Sequence, residues 1–152
     1  MFRALIKTMR LRQWTKNGFV FFALIFDKQL FQVEAFTKTL AGFFLFCLTS
    51  SAVYLLNDIT DVEADRKHPE KKHRPIASGK LPLNVAWSAA IVLVLIALPA
   101  AYFLAPALAA ILALYFTINI LYSRWLKHVP VLDVMIISAG FVLRVAAGVS
   151  LI

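Results

Sequence analysis

Long apolar segments separated by short charged ones constrain this fold more than any other feature of the sequence. A helix needs about 20 apolar residues to cross a bilayer. Five candidate segments cover residues 14–31, 36–56, 82–104, 105–122 and 130–152, and the first is interrupted by Lys16, Asn17 and Asp27. The sequence therefore predicts an all-α fold, a polytopic transmembrane helix bundle of four to five spans, forming a single transmembrane domain over residues 1–152.

The positive charge of the chain follows the predicted spans. The chain has sixteen Lys and Arg and eight Asp and Glu. In a soluble protein this excess of positive charge would suggest binding to nucleic acid. Here 61% of the residues are hydrophobic and the basic residues lie between apolar segments, so we expect a bilayer and no nucleic acid as partner. The basic clusters occupy residues 1–16, 57–80 and 124–127, which are alternate connections. Because cytoplasmic loops carry the excess of Lys and Arg, the N-terminus and the loop 57–81 are predicted to be cytoplasmic.

Residues 1–16 have a pattern of their own. Phe2, Leu5, Ile6 and Met9 recur at helical spacing, and the basic residues take the other face. This pattern predicts an interfacial amphipathic helix that lies on the membrane, with a disordered basic tail as the alternative.

The segment "NDITDVEADRKHPEKKHRPIASG" follows directly on an apolar span and places four carboxylates within eight residues, 58–65. If the helix continues, Asn57, Asp61 and Asp65 take positions i, i+4 and i+8, and Asp58 lies one step around, so all four fall within about 100° of arc. Carboxylates this close repel one another unless a cation neutralises them, and hard oxygen ligands suit Mg²⁺. The predicted metal ligands are Asn57, Asp58, Asp61 and Asp65, with the three aspartates also as catalytic residues.

A run of basic residues follows these acids. Such side chains cannot bind a metal, but they can neutralise a polyanion that the metal holds, such as a diphosphate. An ordinary solvated loop with balanced charges is the alternative. His68 suits a substrate hydrogen bond better than Mg²⁺ ligation, because imidazole prefers softer metals. The substrate-binding candidates of the loop are Arg66, His68, Lys71, Lys72 and Arg74, with Asn57.

Further polar residues lie in or beside the apolar segments. Arg144 could receive a lipid phosphate or could hydrogen-bond a neighbouring helix, and we expect a charge at this depth to face the bundle interior. Asp133 could join the polar site or cap a helix near Pro130. Lys16 is either a phosphate contact or a topological anchor.

At the aspartates the sequence resembles the UbiA prenyltransferase superfamily, whose first aspartate-rich motif reads N-D-x-x-D-x-x-x-D. Every position matches Asn57, Asp58, Asp61 and Asp65, and "RPIASG" matches the R-P-[IL]-x-S-G continuation. Within the superfamily, "LRQWTKNGFVFFALIF", "DRKHPEKKHRPIASG" and "LDVMIISAGFVLRVAAG" are most similar to the decaprenyl-phosphate phosphoribosyltransferases. Members usually carry further helices and a second aspartate-rich motif, so the chain resembles the N-terminal half of such an enzyme.

The resemblance implies an all-helical enzyme of a bacterial plasma membrane. It implies Mg²⁺-dependent transfer of the 5-phosphoribosyl group from phosphoribosyl diphosphate to a polyprenyl phosphate in cell wall biosynthesis. The Tyr-x-x-x-Lys element of many aromatic prenyltransferases appears here as "YSRWLK", in which Tyr122 and Lys127 are one residue further apart. Both residues are candidates for substrate binding, with the altered spacing against them.

Two other functions remain open at this level. An aromatic prenyltransferase would use the same fold with a polyprenyl diphosphate donor. A half-protein without activity could bind Mg²⁺-diphosphate weakly or serve as a subunit. Assembly into a homo-oligomer is equally undecided by the sequence.

Overall fold

The computed structural model describes residues 1–152, which form helices and connections without any strand. It has seven α-helices, with one long and one short 3₁₀ helix (Leu11–Phe21 and Lys71–His73) and one π-helical turn (Tyr122–Leu126). The α-helices are α1 Phe2–Met9, α2 Phe22–Phe26, α3 Val33–Thr60, α4 Val62–Lys67, α5 Leu83–Leu104, α6 Pro106–Leu121 and α7 Pro130–Val149.

Four of these helices are long and apolar enough to cross a membrane: α3, α5, α6 with its π-helical turn, and α7. They confirm four of the five predicted spans and the prediction of an all-α bundle, and the chain is a multi-pass membrane protein. Pro99 lies inside α5 and does not end it, since the helix continues to Leu104. Pro106 and Pro130 each open a helix, where the missing N–H of proline costs no hydrogen bond.

The prediction of a continuous α-helical span over residues 14–31 was wrong. The long 3₁₀ helix and the five-residue α2 replace a continuous α-helix there. This segment nevertheless runs antiparallel to α3: Trp14 donates a hydrogen bond to Ser51 (2.9 Å), and the ring of Phe21 lies 6.2 Å from that of Phe36. At about 2.0 Å rise per 3₁₀ residue and 1.5 Å per α residue, it extends about 30 Å, the thickness of the hydrocarbon core.

Helix α3 is the centre of the bundle. In its most apolar stretch of 18 residues, 56% of the residues are buried, against 17–22% in the corresponding stretches of the other three spans. It packs against α5, the long 3₁₀ helix, α6 and α7. The largest apolar cluster joins Phe46 of α3 to Leu108, Leu112 and Tyr115 of α6. The outward faces of α5 and α7 keep large apolar side chains exposed, as expected where lipid replaces water.

The N-terminal helix is shorter than predicted. It covers Phe2–Met9 instead of residues 1–16, because Arg10 adopts a left-handed conformation (φ 54°, ψ 59°) and ends it. Leu5 and Met9 pack against the cluster that contains Leu55 and Ile59 of α3, so part of the apolar face covers protein. A position on the membrane surface stays a prediction for the rest of this helix.

Candidate functional site

Two carboxylates of the aspartate motif are buried, that of Asp58 near the end of α3 and that of Asp65 in α4. Asp58 and Asp65 are each only 3% exposed. Arg10 Nη2 donates to Asp58 Oδ1 at 2.9 Å, and Arg74 Nη1 lies 3.4 Å from Asp58 Oδ1 and 3.1 Å from Asp65 Oδ2. Because a buried charge is costly unless it is paired, Arg10 and Arg74 supply the counter-charges of these two carboxylates.

The local fold explains how these groups meet. The backbone N–H of Asp61 donates to Asn57 O (3.0 Å) and that of Asp65 to Asp61 O (2.8 Å), so the four-residue spacing continues through the break between α3 and α4. Beyond it, Ile76 and Leu81 pack against Leu55 in an apolar cluster. This packing brings the chain back over α3 and carries Arg74 to the acids.

A cavity of about 250 Å³ begins beside the motif and reaches into the bundle between the long 3₁₀ helix, α3, α6 and α7. Four of the predicted site residues line it, together with Asp133: Lys16, Asn57, Tyr122 and Arg144. Asn57 Oδ1 is buried without a hydrogen-bond partner. Leaving a buried acceptor unpaired costs free energy, so this oxygen is a candidate ligand atom.

Arg144 lies at the inner end of the cavity and is only 6% exposed. Its Nε donates to Asn17 Oδ1 at 2.9 Å, and its guanidinium lies 5.2–5.5 Å from the rings of Phe46, Tyr115 and Phe141. No acidic side chain pairs with it. The predicted hydrogen bond to a neighbouring element is present, and the guanidinium also borders the cavity, so its structural and its ligand-binding role are compatible.

Two further acids of the site contact residues of the "YSRWLK" segment. Tyr122 donates a hydrogen bond to Asp133, and the Lys127 ammonium pairs with Asp61. The segment 122–126 forms a π-helical turn, which accommodates one extra residue per turn. The five-residue spacing of Tyr122 and Lys127 therefore brings both side chains towards the motif, as a four-residue spacing would in an α-helix. Asp133 joins the polar site and also lies in the first turn of α7.

The oxygen atoms of Asn57 and the aspartates suit Mg²⁺ when phosphate oxygens of a bound diphosphate complete the site. No three Asp, Glu, His or Cys side chains converge closely enough to hold a metal ion by themselves. The free oxygen of Asn57 and the adjacent carboxylates nevertheless fit a cation that phosphate oxygens and water complete, which is how Mg²⁺ is usually bound. The four predicted ligands thus stay a prediction, with a bound diphosphate required to complete the site.

Not every predicted residue reaches the acids. Helix α4 ends at Lys67, so His68 lies outside the helical run of the carboxylates, and its Nδ1 accepts the backbone N–H groups of Glu70 and Lys71 (both 3.1 Å). The predicted hydrogen bond of His68 to a substrate stays a prediction. Arg66 donates to Ala77 O (3.1 Å) and pairs with Glu63, which ties it to the loop itself. Lys71 and Lys72 are exposed and form no ion pair, and their role towards a substrate stays a prediction.

Sequence reasoning missed several residues of the site. Arg10 was placed only on the basic face of the N-terminal helix, and its contact with Asp58 spans 48 positions. Tyr54, Tyr115 and Asn119 line the cavity but resemble ordinary span residues. Only Asn17 gave a signal, since an amide inside an apolar segment requires partners; it donates to Cys47 Sγ (3.2 Å) and Ser50 Oγ (3.3 Å).

Comparison with known proteins agrees with the motif. The sequence profile of the UbiA prenyltransferase family matches residues 18–152. A protein of Mycobacterium tuberculosis H37Rv named decaprenyl-phosphate phosphoribosyltransferase is 39% identical over 147 residues, which cover 94% of this chain and 49% of the relative. Its namesake in Corynebacterium glutamicum is 37% identical over 148 residues, with 95% and 45% covered.

A relative with a different name is also similar. The nodulation protein NoeC of Azorhizobium caulinodans is 35% identical over 150 residues, which cover 97% of this chain and 48% of that protein. The chain thus spans about half the length of these curated relatives. The family match over residues 18–152, the complete aspartate motif and the helical bundle agree, and the chain belongs to the UbiA prenyltransferase family.

Proposed function

We propose that this chain carries the donor site of a membrane transferase that moves the 5-phosphoribosyl group of phosphoribosyl diphosphate to a polyprenyl (decaprenyl) phosphate and releases diphosphate. The observation that carries the proposal is one cavity that joins the motif residue Asn57 to the cationic side chains Lys16 and Arg144 within an apolar bundle. Both substrates of this reaction are anionic at the positions that must lie near each other. The names of the mycobacterial and corynebacterial relatives support the same assignment.

The roles of the residues follow from their positions. Asn57, Asp58, Asp61 and Asp65 would hold Mg²⁺, which neutralises the diphosphate when bound. Arg74 and Lys127 already contact these acids, so they are placed to neutralise phosphate oxygens at the same point. Lys71 and Lys72, exposed on the same loop, add positive charge on the side from which a soluble donor arrives.

The reaction needs little proton transfer from the protein. A phosphate oxygen of the lipid attacks the anomeric carbon of the ribose, and the bond from that carbon to the diphosphate oxygen breaks. The lipid phosphate is already anionic, so no general base is required. The contribution of the chain is to orient the two substrates and to neutralise the negative charge that builds up on the leaving diphosphate. The enclosing helices exclude water that would hydrolyse the donor.

A second candidate function is supported by the π-helical turn. Since this turn brings Tyr122 and Lys127 towards the motif, the chain retains the geometry of the Tyr-x-x-x-Lys element of aromatic prenyltransferases. In that case the donor would be a polyprenyl diphosphate and the acceptor an aromatic ring. The positive charge of Lys71 and Lys72 favours the first function, because phosphoribosyl diphosphate is the more highly charged of the two donors.

The test compares two pairs of substrates. Membranes that contain the chain are incubated with Mg²⁺ and either labelled phosphoribosyl diphosphate plus polyprenyl phosphate, or labelled prenyl diphosphate plus an aromatic acid. We expect a labelled phosphoribosyl lipid from the first pair and no product from the second. Product from the second pair alone would contradict the proposal.

Binding is measured in the same experiment, since the chain spans about half the length of its relatives. If Mg²⁺-diphosphate binds and neither pair gives product, the chain is a binding half that needs further helices for turnover. Coexpression with the remaining half of a full-length relative then tests whether transfer returns.

A further inference from the structure

Arg144 is the one buried cation of the bundle, and no acidic side chain neutralises it. The proposed mechanism gives it no contact with the leaving diphosphate. Arg144 is 6% exposed, within a membrane-spanning helix. Its Nε donates to Asn17, and the Tyr115 hydroxyl lies within hydrogen-bonding reach of the guanidinium. Three aromatic rings surround the guanidinium, but ring faces compensate a full charge only partly. A charge buried at this depth without a counter-ion is costly, and such charges usually serve a ligand.

The position of the guanidinium separates it from the aspartate motif. In a helix long side chains point back towards the N-terminus, and Arg144 Nη1 indeed lies beside Gly140, one turn earlier. Gly140 is seven residues from Asp133, which marks the motif end of the cavity. At 1.5 Å per residue the two levels are about 10 Å apart. The diphosphate site and Arg144 are thus separate, at a distance on the scale of one phosphorylated sugar.

We propose that Arg144 forms a second anion subsite, for a single phosphate group, at the inner end of the cavity, and that Gly140 and Asn17 position its guanidinium. The inference rests on the proposed function, which needs two phosphate-bearing groups besides the leaving diphosphate. The 5-phosphate of the donor and the head phosphate of the lipid have the same chemistry, and either could occupy the subsite. A planar guanidinium with free N–H groups suits both.

Gly140 supports this inference independently. A Cβ at residue 140 would lie 3.0 Å from Arg144 Nη1, closer than ordinary contacts allow, and 4.0 Å from the ring of Tyr115. The guanidinium therefore lies directly against residue 140, and a Cβ there would require it to shift by a few tenths of an ångström. A substitution to Ala moves the guanidinium while retaining its charge, which makes Gly140 a positioning residue that can be tested apart from the charge itself.

The experiment measures binding to the full chain in lipid nanodiscs. The probes are ribose 5-phosphate, a short-chain polyprenyl phosphate, and Mg²⁺-diphosphate. We expect Arg144→Gln to lower the affinity for one of the two monophosphates by about 10- to 100-fold, the effect of losing a charged hydrogen bond. The affinity for diphosphate should change by less than about twofold. Loss for ribose 5-phosphate identifies the donor phosphate as the occupant, and loss for the lipid identifies the acceptor.

Matched variants separate positioning from folding. Gly140→Ala should weaken the same monophosphate with an unchanged unfolding temperature, and Arg144→Lys should restore part of the affinity lost in Arg144→Gln. Gly18→Ala is the control, because a Cβ there meets nothing within 4 Å. If Arg144→Gln does not fold, Gly140→Ala alone decides the question.

Unchanged affinity for both monophosphates, or an equal loss for diphosphate, would overturn the subsite. The proposed function fails separately, when no phosphoribosyl lipid forms even on coexpression with the remaining half of a relative, although Arg144→Gln still lowers the affinity for one monophosphate.

Discussion

Asp61 differs from the two other aspartates of the motif in its exposure and in its partner. The side chains of Asp58 and Asp65 are 3–4% exposed and share Arg74, whereas that of Asp61 is 26% exposed and pairs with Lys127, directly after the π-helical turn. The two buried acids cannot lose their arginines without leaving a charge uncompensated. Asp61 can exchange Lys127 for a ligand at lower cost, so we expect it to make the most direct contact with the proposed diphosphate and its cation.

Asp61→Ala should reduce diphosphate release by at least about 100-fold without unfolding the protein. The physical reason is that Asp61 is partly exposed, so its removal leaves no buried charge unpaired, while Lys127 loses its acid and the diphosphate loses a ligand group. Diphosphate release and thermal unfolding are measured on the same preparation. Glu63→Ala is the matched control, because Glu63 is exposed and contacts only Arg66. Full activity in Asp61→Ala would contradict the assignment.

For single residues, the sequence predicts relations between neighbours along the chain and misses contacts between residues that are far apart in sequence. Asn57, Asp61 and Asp65 are related by helical spacing, which can be counted along the chain. The neutralisation of Asp58 by Arg10 depends on how two segments 48 residues apart pack, and no periodicity encodes it. The end of the helix at His68 has a local cause as well: Pro69 follows it, and a residue before proline avoids the helical conformation.

Among the elements, the long 3₁₀ helix departs furthest from expectation. Runs of more than three or four 3₁₀ residues are uncommon, and this one has 11. Its apolar residues led to the prediction of an α-helical span, since composition reports burial and not the pitch of the helix. The close packing of this segment against α3 and α7 accompanies the tighter form: at Gly148 of α7 a Cβ would lie 2.0 Å from Val20 O.

Gly148→Ala should therefore destabilise the bundle by about 3 kcal/mol, because the clash is with backbone and neither helix can move without losing packing. The measurement is the unfolding temperature in nanodiscs. Gly18→Ala provides the comparison in the same 3₁₀ helix, where a Cβ meets open space. A Gly148→Ala protein as stable as Gly18→Ala would show that the two elements are not in close contact.

The π-helical turn gives a prediction of its own. Deletion of the exposed Trp125 should convert the turn to α-helix and keep Tyr122 and Lys127 on one face, so transfer activity should stay within about fivefold of the unaltered chain. Insertion of one Ala after Leu126 rotates Lys127 by about 100° and should reduce activity at least about tenfold. Transfer rates of both variants are measured together. Equal loss in deletion and insertion would contradict a role for the turn in aligning these residues.

At the level of the whole molecule, the charge pattern of the sequence and the packing of the helices agree on which connections lie at the same end of the bundle. Arg10 and Asp58 pair at one end of the bundle, where α4, the basic loop and the start of α7 also meet through Asp61, Lys127 and Asp133. The opposite end holds the start of α3, near the ring of Phe21. The segment 11–26 therefore connects the two ends despite its unexpected form. The count of basic residues predicted the same grouping of loops.

This arrangement predicts the orientation in the membrane. Glu70→Cys and His128→Cys should react with a membrane-impermeant maleimide only from the cytoplasmic side, and Gln32→Cys only from the other side, because Lys and Arg are retained in the cytoplasm. All three positions are exposed, and the native Cys47 is buried, so it should remain unlabelled. Labelling is compared in right-side-out and inverted vesicles, with the unaltered chain as background. Reaction of Glu70→Cys from outside would reverse the orientation and place the aspartate motif away from a cytoplasmic donor. Reaction of Gln32→Cys and Glu70→Cys from the same side would mean that α3 does not connect opposite faces of the membrane.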